Sequence, residues 1–310
     1  MLRYAVKRIL LLIPMLLAVI FFIFLLIIAS PSSPGRMMLG PMALEEDVNN
    51  LNATLGFTGN VFEMYYNYIK DVVQGNFGIS YVTRQPVLQD IADRWPATII
   101  LAFTGLALAI LIGVPMGLLA SVKHNSWIDK TITVLSICSM SMPAFWLAVL
   151  LLMAFGLQLS WFPIIWDGSF KSYILPAVTL GITHSGAFMR FTRSSMLDII
   201  RSDFIKTTRA KGASEKRVIL MHAFKNASLM IITITGSQLG GMLGGSVVVE
   251  NIFAINGVGR MALRALRNKD IPQIMASTVL LSAVFILIML LVDFIYAFID
   301  PRIKARYKLR

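Results

Sequence analysis

Histidine and serine are the residue types in this sequence that support catalysis in other proteins, but their spacing here matches no catalytic arrangement. His124, His184 and His222 lie in a loop, an apolar segment and a polar segment, too scattered for a metal site on one helix. His184 beside Ser185 is the one close pair, and we interpret His184 as a hydrogen-bonded core residue. The motifs H-E-x-x-H and G-x-S-x-G do not occur. The sequence therefore predicts no catalytic and no metal-binding residues.

Glycine motifs that bind nucleotides give an equally negative result. Gly257, Gly259 and Ala262 match the dinucleotide fingerprint G-x-G-x-x-A, but no acidic residue follows at the required distance and the chain enters another apolar segment. The phosphate-binding motif G-x-x-x-x-G-K-[ST] does not occur. The single cysteine, Cys138, lies in an apolar run, which excludes an intrachain disulfide and a cysteine cluster for zinc or iron–sulfur. We predict that this chain binds no cofactor.

Composition points to a membrane protein. The chain has 310 residues, 57% hydrophobic and 14% charged, and a mean hydropathy of +0.74, which excludes a soluble globular domain. The net charge of +12 is compatible with nucleic-acid binding, but the basic residues lie between long apolar runs and at the chain end. This distribution favours membrane topology, and we predict the lipid bilayer as a partner and no nucleic acid.

Six segments without Asp, Glu, Lys or Arg have about the length of a membrane-spanning helix, which needs about 20 residues. With both termini inside, 19 Lys and Arg residues lie on the cytoplasmic side and 9 outside, which favours cytoplasmic termini. The first segment is predicted to stay as an anchor, because it is too long for the apolar part of a signal peptide. Four basic residues form an outside cluster against the trend: Arg260, Arg264, Arg267 and Lys269. The predicted spans are 9–28, 97–120, 131–159, 173–189, 227–249 and 271–292.

The segment 30–96 is the one sizeable extramembrane piece on the outside, and its apolar spacing predicts helices. The first covers 44–55 and ends at Gly56, the second covers 62–73, and a third short helix starts at Pro86 and ends near Trp95. A piece of this size without a disulfide is too small to fold alone, so we expect it to pack on the membrane helices. The alternative is a simple connector.

Glycines and charges in the spans limit the mechanism. Gly236, Gly240 and Gly244 recur every four residues and form one bare face of the fifth span, where another helix can approach closely. This face serves either static packing or a gate at which two helices move. The predicted spans contain no Asp, Glu, Lys or Arg, and this absence argues against ion-coupled transport. The nearest such residue, Asp293, lies just beyond the sixth span.

The inside segment 190–226 carries nine basic and three acidic residues in an ordered helical pattern. We predict a helix over 203–211, stopped by Gly212 in a left-handed conformation. Ser214 then caps a second helix with Glu215 in its first turn, where the helix dipole favours an anion. A helix–glycine–helix element suits insertion into a groove of a soluble partner, but by composition alone an anionic-lipid surface fits equally well.

The stretch Lys206-Thr-Thr-Arg-Ala-Lys-Gly212-Ala-Ser-Glu215 resembles the coupling-loop motif of inner-membrane permease subunits of bacterial ABC importers. More narrowly, it is similar to the B-type subunit of the dipeptide, oligopeptide and nickel group. The resemblance extends over the whole chain. It is carried by the further segments 2–9, 73–80, 174–180, 189–193 and 244–250.

The resemblance implies an all-α integral membrane fold of the type I ABC importer permease, with six transmembrane helices and cytoplasmic termini. The implied organisation is a tail and first helix in 1–29, an extracytoplasmic helical insertion in 30–96, and a core permease domain in 97–310 with the coupling loop 190–226. The implied location is the bacterial inner membrane, as a multi-pass protein. The implied partners are a second homologous permease subunit, two ABC ATPase subunits that carry ATP and Mg²⁺, and an extracytoplasmic solute-binding protein.

The resemblance also assigns roles to two groups of residues, with the segment 250–270 as a moving outer gate. The residues implied to couple to an ATPase subunit are Asp203, Lys206, Thr207, Arg209, Ala210, Gly212 and Glu215. The residues implied to line the pathway or gate are Gly236, Gly240, Gly244 and Glu250.

The substrate is less defined than the fold. Di- or oligopeptides are favoured, glutathione-like peptides among them, and nickel or metallophore complexes are the alternative within the same group. Uncharged spans suit such cargo, because a wide and weakly binding pathway leaves specificity to a separate binding protein. An ion-coupled secondary carrier is the alternative from another class.

Overall fold

The computed structural model describes residues 2–28, 33–54, 56 and 60–299. Over these residues the chain is helical, and its one β-type pairing is an isolated antiparallel bridge between Ile79 and Pro86. The predicted all-α class is confirmed.

Thirteen α-helices are found in the described ranges. They are α1 Leu2–Ile28, α2 Pro34–Leu39, α3 Glu45–Thr54, α4 Val61–Val73, α5 Val87–Val122, α6 Trp127–Ser141, α7 Ala144–Leu151, α8 Phe170–Ile200, α9 Asp203–Ala210, α10 Glu215–Arg217, α11 Phe224–Ile252, α12 Val258–Asn268 and α13 Ile271–Ile299. Two π-helical segments continue them: Leu152–Gln158 follows α7, and Val218–Ala223 joins α10 to α11.

Three segments of the described chain are long and apolar enough to cross a membrane: Val87–Val122, Glu215–Gly244 and Ile271–Val292. They contain the predicted second, fifth and sixth spans, apart from the last residues of the fifth. The bent pair α6 and α7 forms a further candidate, and a shorter apolar stretch, Ile13–Leu26, lies in the predicted first span. The count of six spans and the cytoplasmic termini stay predictions.

The predicted span 131–159 is not one straight helix. Helix α6 ends at Ser141, and the segment that follows Pro143 turns by 97°. Met142 is extended, with φ −77° and ψ 121°, because the proline ring disfavours the helical conformation of the residue before it. Proline also has no N–H to continue the helix.

The predicted short helix from Pro86 to Trp95 is not separate. It forms the first turns of α5, which runs through Pro96 without a break for 36 residues, about 54 Å at 1.5 Å per residue. Val87 and Ile91 are buried against α12 and α13, and this tertiary packing holds the helix through the proline.

The insertion after α1 packs on the membrane helices, as expected from its size. The predicted helices over 44–55 and 62–73 are found as α3 and α4. Met64 of α4 shares a cluster with Phe24 of α1 and Met275 of α13. Tyr65 donates a hydrogen bond of 2.8 Å to the carbonyl of Leu17.

Candidate functional site

The predicted helix–glycine–helix element is present on the side predicted to be cytoplasmic. Gly212, with φ +80°, separates α9 from α10. Its N–H donates to the Arg209 carbonyl at 2.9 Å, and that of Ala213 donates to the Thr208 carbonyl at 3.4 Å, as in a Schellman motif. Ser214 stands at the N-cap of α10, but within the described chain its side chain makes no capping hydrogen bond.

A buried isoleucine anchors α9 to the bundle. Ile205 is fully buried, at the point where the end of α8 and the start of α11 meet. Its cluster also contains Met196, Val218, Ala223 and Ala227. Sequence reasoning missed Ile205, although an apolar residue within a polar helix was the available signal. Ile205 therefore places α9 in contact with both α8 and the start of α11.

The residues predicted to couple to an ATPase all lie on the exposed surface of this element. Phe204 is also 42% exposed, an apolar group that sequence reasoning did not select. Lys206 and Asp203 pair at 2.8 Å on the same surface. Helix α9 thus exposes its polar surface to solvent and is anchored to the bundle by Ile205 on its other side.

Arg209 and Glu215 bridge the glycine turn. Arg209 donates from Nε and Nη2 to the two carboxylate oxygens of Glu215, at 3.0 and 2.5 Å. Hydrogen bonding to Arg209 lowers the pKa of Glu215 below its ordinary value. Because both side chains are exposed, the pair adds little stability, but its two-point geometry restricts the angle between α9 and α10.

A second ion pair, missed by sequence reasoning, joins α6 to α8 near the coupling element. Arg193 donates from Nε and Nη2 to the two oxygens of Asp129 at 2.5 and 2.8 Å. Asp129 is buried and also accepts from the Asn125 N–H at 3.0 Å. The Nδ1 of His124 lies 3.2 Å from the same carboxylate. Arg193 belongs to the segment 189–193, one of those that carry the resemblance. In the structure this segment holds α8 to α6 through the ion pair with Asp129.

Replacing Asp129 with asparagine should destabilise the chain by on the order of 3 kcal/mol, because Arg193 loses its buried partner charge. The measurement is the midpoint of thermal unfolding of the detergent-purified protein. Asp203→Asn is the matched control, since it breaks the exposed pair with Lys206 and should leave the midpoint unchanged. Equal midpoints for both variants would show that the Asp129–Arg193 ion pair does not stabilise the folded chain.

The glycine face of α11 packs against α13 at two of its three positions. A Cβ atom at Gly236 would overlap with Val292, and one at Gly240 would overlap with Phe285. No described atom lies within 4 Å of a Cβ built at Gly244, which borders a cavity of about 540 Å³ between α1, α11 and α13. Close packing is therefore observed, and movement at this face stays a prediction.

Glu250 fastens the outer end of α11, on the side predicted to be extracytoplasmic. Its carboxyl group is fully buried and accepts hydrogen bonds from Thr98 Oγ1 at 2.8 Å, the Arg260 N–H at 2.9 Å and Ser246 Oγ at 3.2 Å. Thr98 Oγ1 in turn accepts from the N–H of Val258 at 2.9 Å. Glu250 therefore ties α11 and the start of α12 to α5.

The discarded dinucleotide motif has a structural explanation. A Cβ atom at Gly257 would overlap with the carboxyl group of Glu250, and one at Gly259 would lie 2.9 Å from Glu250 Oε2. These two glycines leave room for an internal carboxyl group, where the fingerprint would place a pyrophosphate. The rejection of the motif agrees with this geometry.

A buried aspartate fastens the other end of the predicted gate segment 250–270. Asp270 accepts from Ser80 Oγ at 2.5 Å and from the N–H groups of Tyr81 and Val82 at 3.2 and 3.3 Å. Between Glu250 and Asp270 lies α12, so the segment is a helix fixed at both ends rather than an open loop. Its movement as a gate stays a prediction.

The remaining candidate residues are the histidines, Cys138 and Asp293. His184 Nδ1 lies 2.9 Å from Gln238 Oε1, which agrees with a hydrogen-bonded core histidine. In the part of the chain that the structure describes, no three His, Cys, Asp or Glu residues are placed to hold a metal ion. Cys138 is exposed on α6. The side chain of Asp293 lies outside the described residues.

Helices long and apolar enough to cross a membrane, an insertion packed on them and the anchored, exposed helix α9 define the fold of a multi-pass membrane protein. The family model for the binding-protein-dependent transport system inner membrane component matches residues 113–305, and the model for the N-terminal part of such components matches residues 1–102. The chain belongs to this family of ABC importer permeases, and it is an inner-membrane protein.

Known proteins similar to this chain agree with that assignment. The glutathione transport system permease protein GsiC of Escherichia coli K12 is 39% identical over 308 residues, which cover 99% of this chain and all of GsiC. GsiC of Shigella dysenteriae serotype 1 gives the same values. An inward-facing structure of the MetNI methionine ABC transporter superposes with a TM-score of 0.57 at 18% identity, covering 68% of this chain and 97% of that one. The resemblance to the peptide and nickel permease group and the type I fold are confirmed.

Proposed function

We propose that this chain forms half of a translocation pathway that imports di- or oligopeptides, with tripeptides of the glutathione type as the first candidates. The observation that carries this proposal is the identity of 39% to glutathione transport permeases over almost the whole chain. The uncharged spans support it, because they suit varied cargo that is bound weakly on its way. Nickel or metallophore complexes are the alternative to be tested beside peptides.

We further propose that the chain itself hydrolyses no ATP and works with four other subunits or proteins. These are a second homologous permease, two ABC ATPase subunits that bind ATP and Mg²⁺, and an extracytoplasmic solute-binding protein. The exposed surface of α9 supports the ATPase contact, because it presents both charged groups and Phe204 while Ile205 holds the helix in place.

The proposed coupling starts when the ATPase subunits close on ATP and displace α9. Ile205 shares its buried cluster with residues of α8 and α11, so the displacement is passed to both helices. Glu250 lies in the last turn of α11 and holds α12 on the outer side, and a tilt of α11 therefore reaches the outer segment 250–270. Gly212 supplies the turn between α9 and α10 in this step, and the Arg209–Glu215 pair spans that turn.

The experiment is gentle purification of the tagged chain from its native host, followed by mass spectrometry and an ATP hydrolysis assay. We expect a second permease and ATPases with vanadate-sensitive activity. Uptake of glutathione, a dipeptide and Ni²⁺ with candidate binding proteins then identifies the cargo. If the chain is recovered alone, crosslinking through Lys211→Cys and Ala213→Cys in a Cys138→Ser background is the second measurement. Absence of any crosslinked ATPase would refute the proposal.

A further inference from the structure

The outside basic cluster, which runs against the usual charge distribution, is divided by the structure into two pairs. Arg260 and Arg264 line a cavity of about 150 Å³ between α12, the outer end of α5 and the start of α13. Arg267 and Lys269 lie on the same side of the membrane but do not line this cavity. Arg264 is exposed like Arg267 and Lys269, and what distinguishes it is that it borders this cavity together with the half-buried Arg260.

The cavity combines excess positive charge with polar amides. A third arginine, Arg94, lines it together with Asn256, Asn268 and the buried Gln273. Arg94 is paired with Asp90 at 3.0 Å, and the guanidinium of Arg260 donates to the carbonyl of Ala254.

Arg264 is the unpaired charge. Among the residues that the structure describes, no carboxylate pairs with it, although it is four residues from Arg260 on the same helix. Like charges at this spacing repel each other, so an anion between them would relieve an unfavourable contact. The carboxyl group of Glu250 does not fill this role, because it is fully buried and faces Thr98 and the Arg260 backbone.

We propose that this cavity binds a carboxylate group of an incoming peptide at the outer mouth of the permease; this inference rests on the proposed peptide function. Guanidinium groups bind carboxylates through two parallel hydrogen bonds. A volume of about 150 Å³ lies below the roughly 300 Å³ at which pockets for drug-sized ligands begin, so the cavity suits one carboxylate and its neighbouring atoms rather than a whole peptide. The positive field also concentrates anionic cargo at the mouth and repels free metal cations.

The test measures equilibrium binding of radiolabelled glutathione, and of its diethyl ester, to the whole purified complex in nanodiscs without binding protein. We expect saturable glutathione binding that Arg264→Gln weakens by about tenfold or more, since a charged partner is lost. Binding of the ester should be weak and equal in both proteins, because it has no carboxylate. Arg267→Gln is the matched control: it removes the same charge from α12 outside the cavity and should leave glutathione binding unchanged.

Three results would overturn the carboxylate site. They are no saturable binding to the wild-type complex, equal losses in Arg264→Gln and Arg267→Gln, and binding of the diethyl ester to the wild-type complex as tight as that of glutathione. The composition of the same sample is measured by mass spectrometry. A sample without ATPase subunits therefore counts against the proposed function, while the comparison of glutathione with its ester still decides the carboxylate site.

Discussion

Replacing Glu250 with alanine is expected to destabilise the folded chain by about 3 kcal/mol, because two buried hydroxyl groups and one partly buried N–H lose the carboxyl group that accepts their hydrogen bonds. These donors are Thr98 Oγ1, Ser246 Oγ and the N–H of Arg260. The midpoint of thermal unfolding of the detergent-purified protein and its amount in the membrane both measure the effect. Glu250→Gln keeps the volume and one acceptor oxygen, so its midpoint should lie between those of the wild type and the alanine variant.

A double-mutant cycle with Gly257 distinguishes the specific contribution of the Glu250 carboxyl group from a general loss of packing. Gly257→Ala alone should cost about 1 to 3 kcal/mol, because the new Cβ atom overlaps with the Glu250 carboxyl group. In the Glu250→Ala background that group is absent, so the same change should cost little. We expect a coupling energy of at least about 1 kcal/mol.

The control for the cycle is Gly244→Ala, on the same helix as Glu250. No described atom lies within 4 Å of a Cβ built there, and alanine favours the helix, so this change should not destabilise the chain. Strictly additive effects of Gly257→Ala and Glu250→Ala would mean that the carboxyl group does not occupy the space between the two glycines.

Hydropathy and local chemistry correctly predicted those features of the fold that depend only on residues close together in the sequence. The apolar segments in 97–120 and 271–292 lie in α5 and α13, and the glycine stop at Gly212 has the expected left-handed conformation. Both are local: a span needs only an uncharged run of sufficient length, and a helix stop needs only a residue that tolerates positive φ.

Contacts between distant residues could not be predicted in the same way. The Asp129–Arg193 pair joins residues 64 positions apart, and the Thr98–Glu250 hydrogen bond joins residues 152 positions apart. No periodicity indicates which partner a polar group at a span end will find. The extension of α5 across Pro96 has the same origin, since it depends on the burial of Val87 and Ile91 by helices from the end of the chain.

The buried carboxyl groups also explain how the segment 250–270, which the resemblance implies to be a moving outer gate, is held in place. Glu250 and Asp270 each accept several hydrogen bonds from elements far away in sequence, and α12 is held between them. A movement of this segment must therefore carry α12 with α11, because Glu250 belongs to α11 and receives the Arg260 N–H. The segment 250–270 and α9 are thus both in contact with helix α11.

Replacing Gly212 with valine is expected to abolish uptake while the protein still inserts into the membrane. At φ +80° a β-branched side chain costs roughly 1 to 2 kcal/mol, and α9 relaxes by changing its angle to α10. The Arg209–Glu215 bridge then loses its two-point geometry. The measurements are uptake of radiolabelled glutathione by cells, the amount of protein in the membrane, and recovery of ATPase subunits with the tagged chain.

Gly75 provides the matched control on the side predicted to be extracytoplasmic. It also has φ +80° and no described atom within 4 Å of a built Cβ, and it follows α4 in the same hydrogen-bonded turn, with the Asn76 N–H on the Asp71 carbonyl at 2.9 Å. Gly75→Val therefore brings the same local strain without touching α9. We expect it to retain ATPase subunits and most of the uptake. Normal uptake in Gly212→Val, or equal loss in both variants, would show that the Gly212 turn has no particular role in coupling.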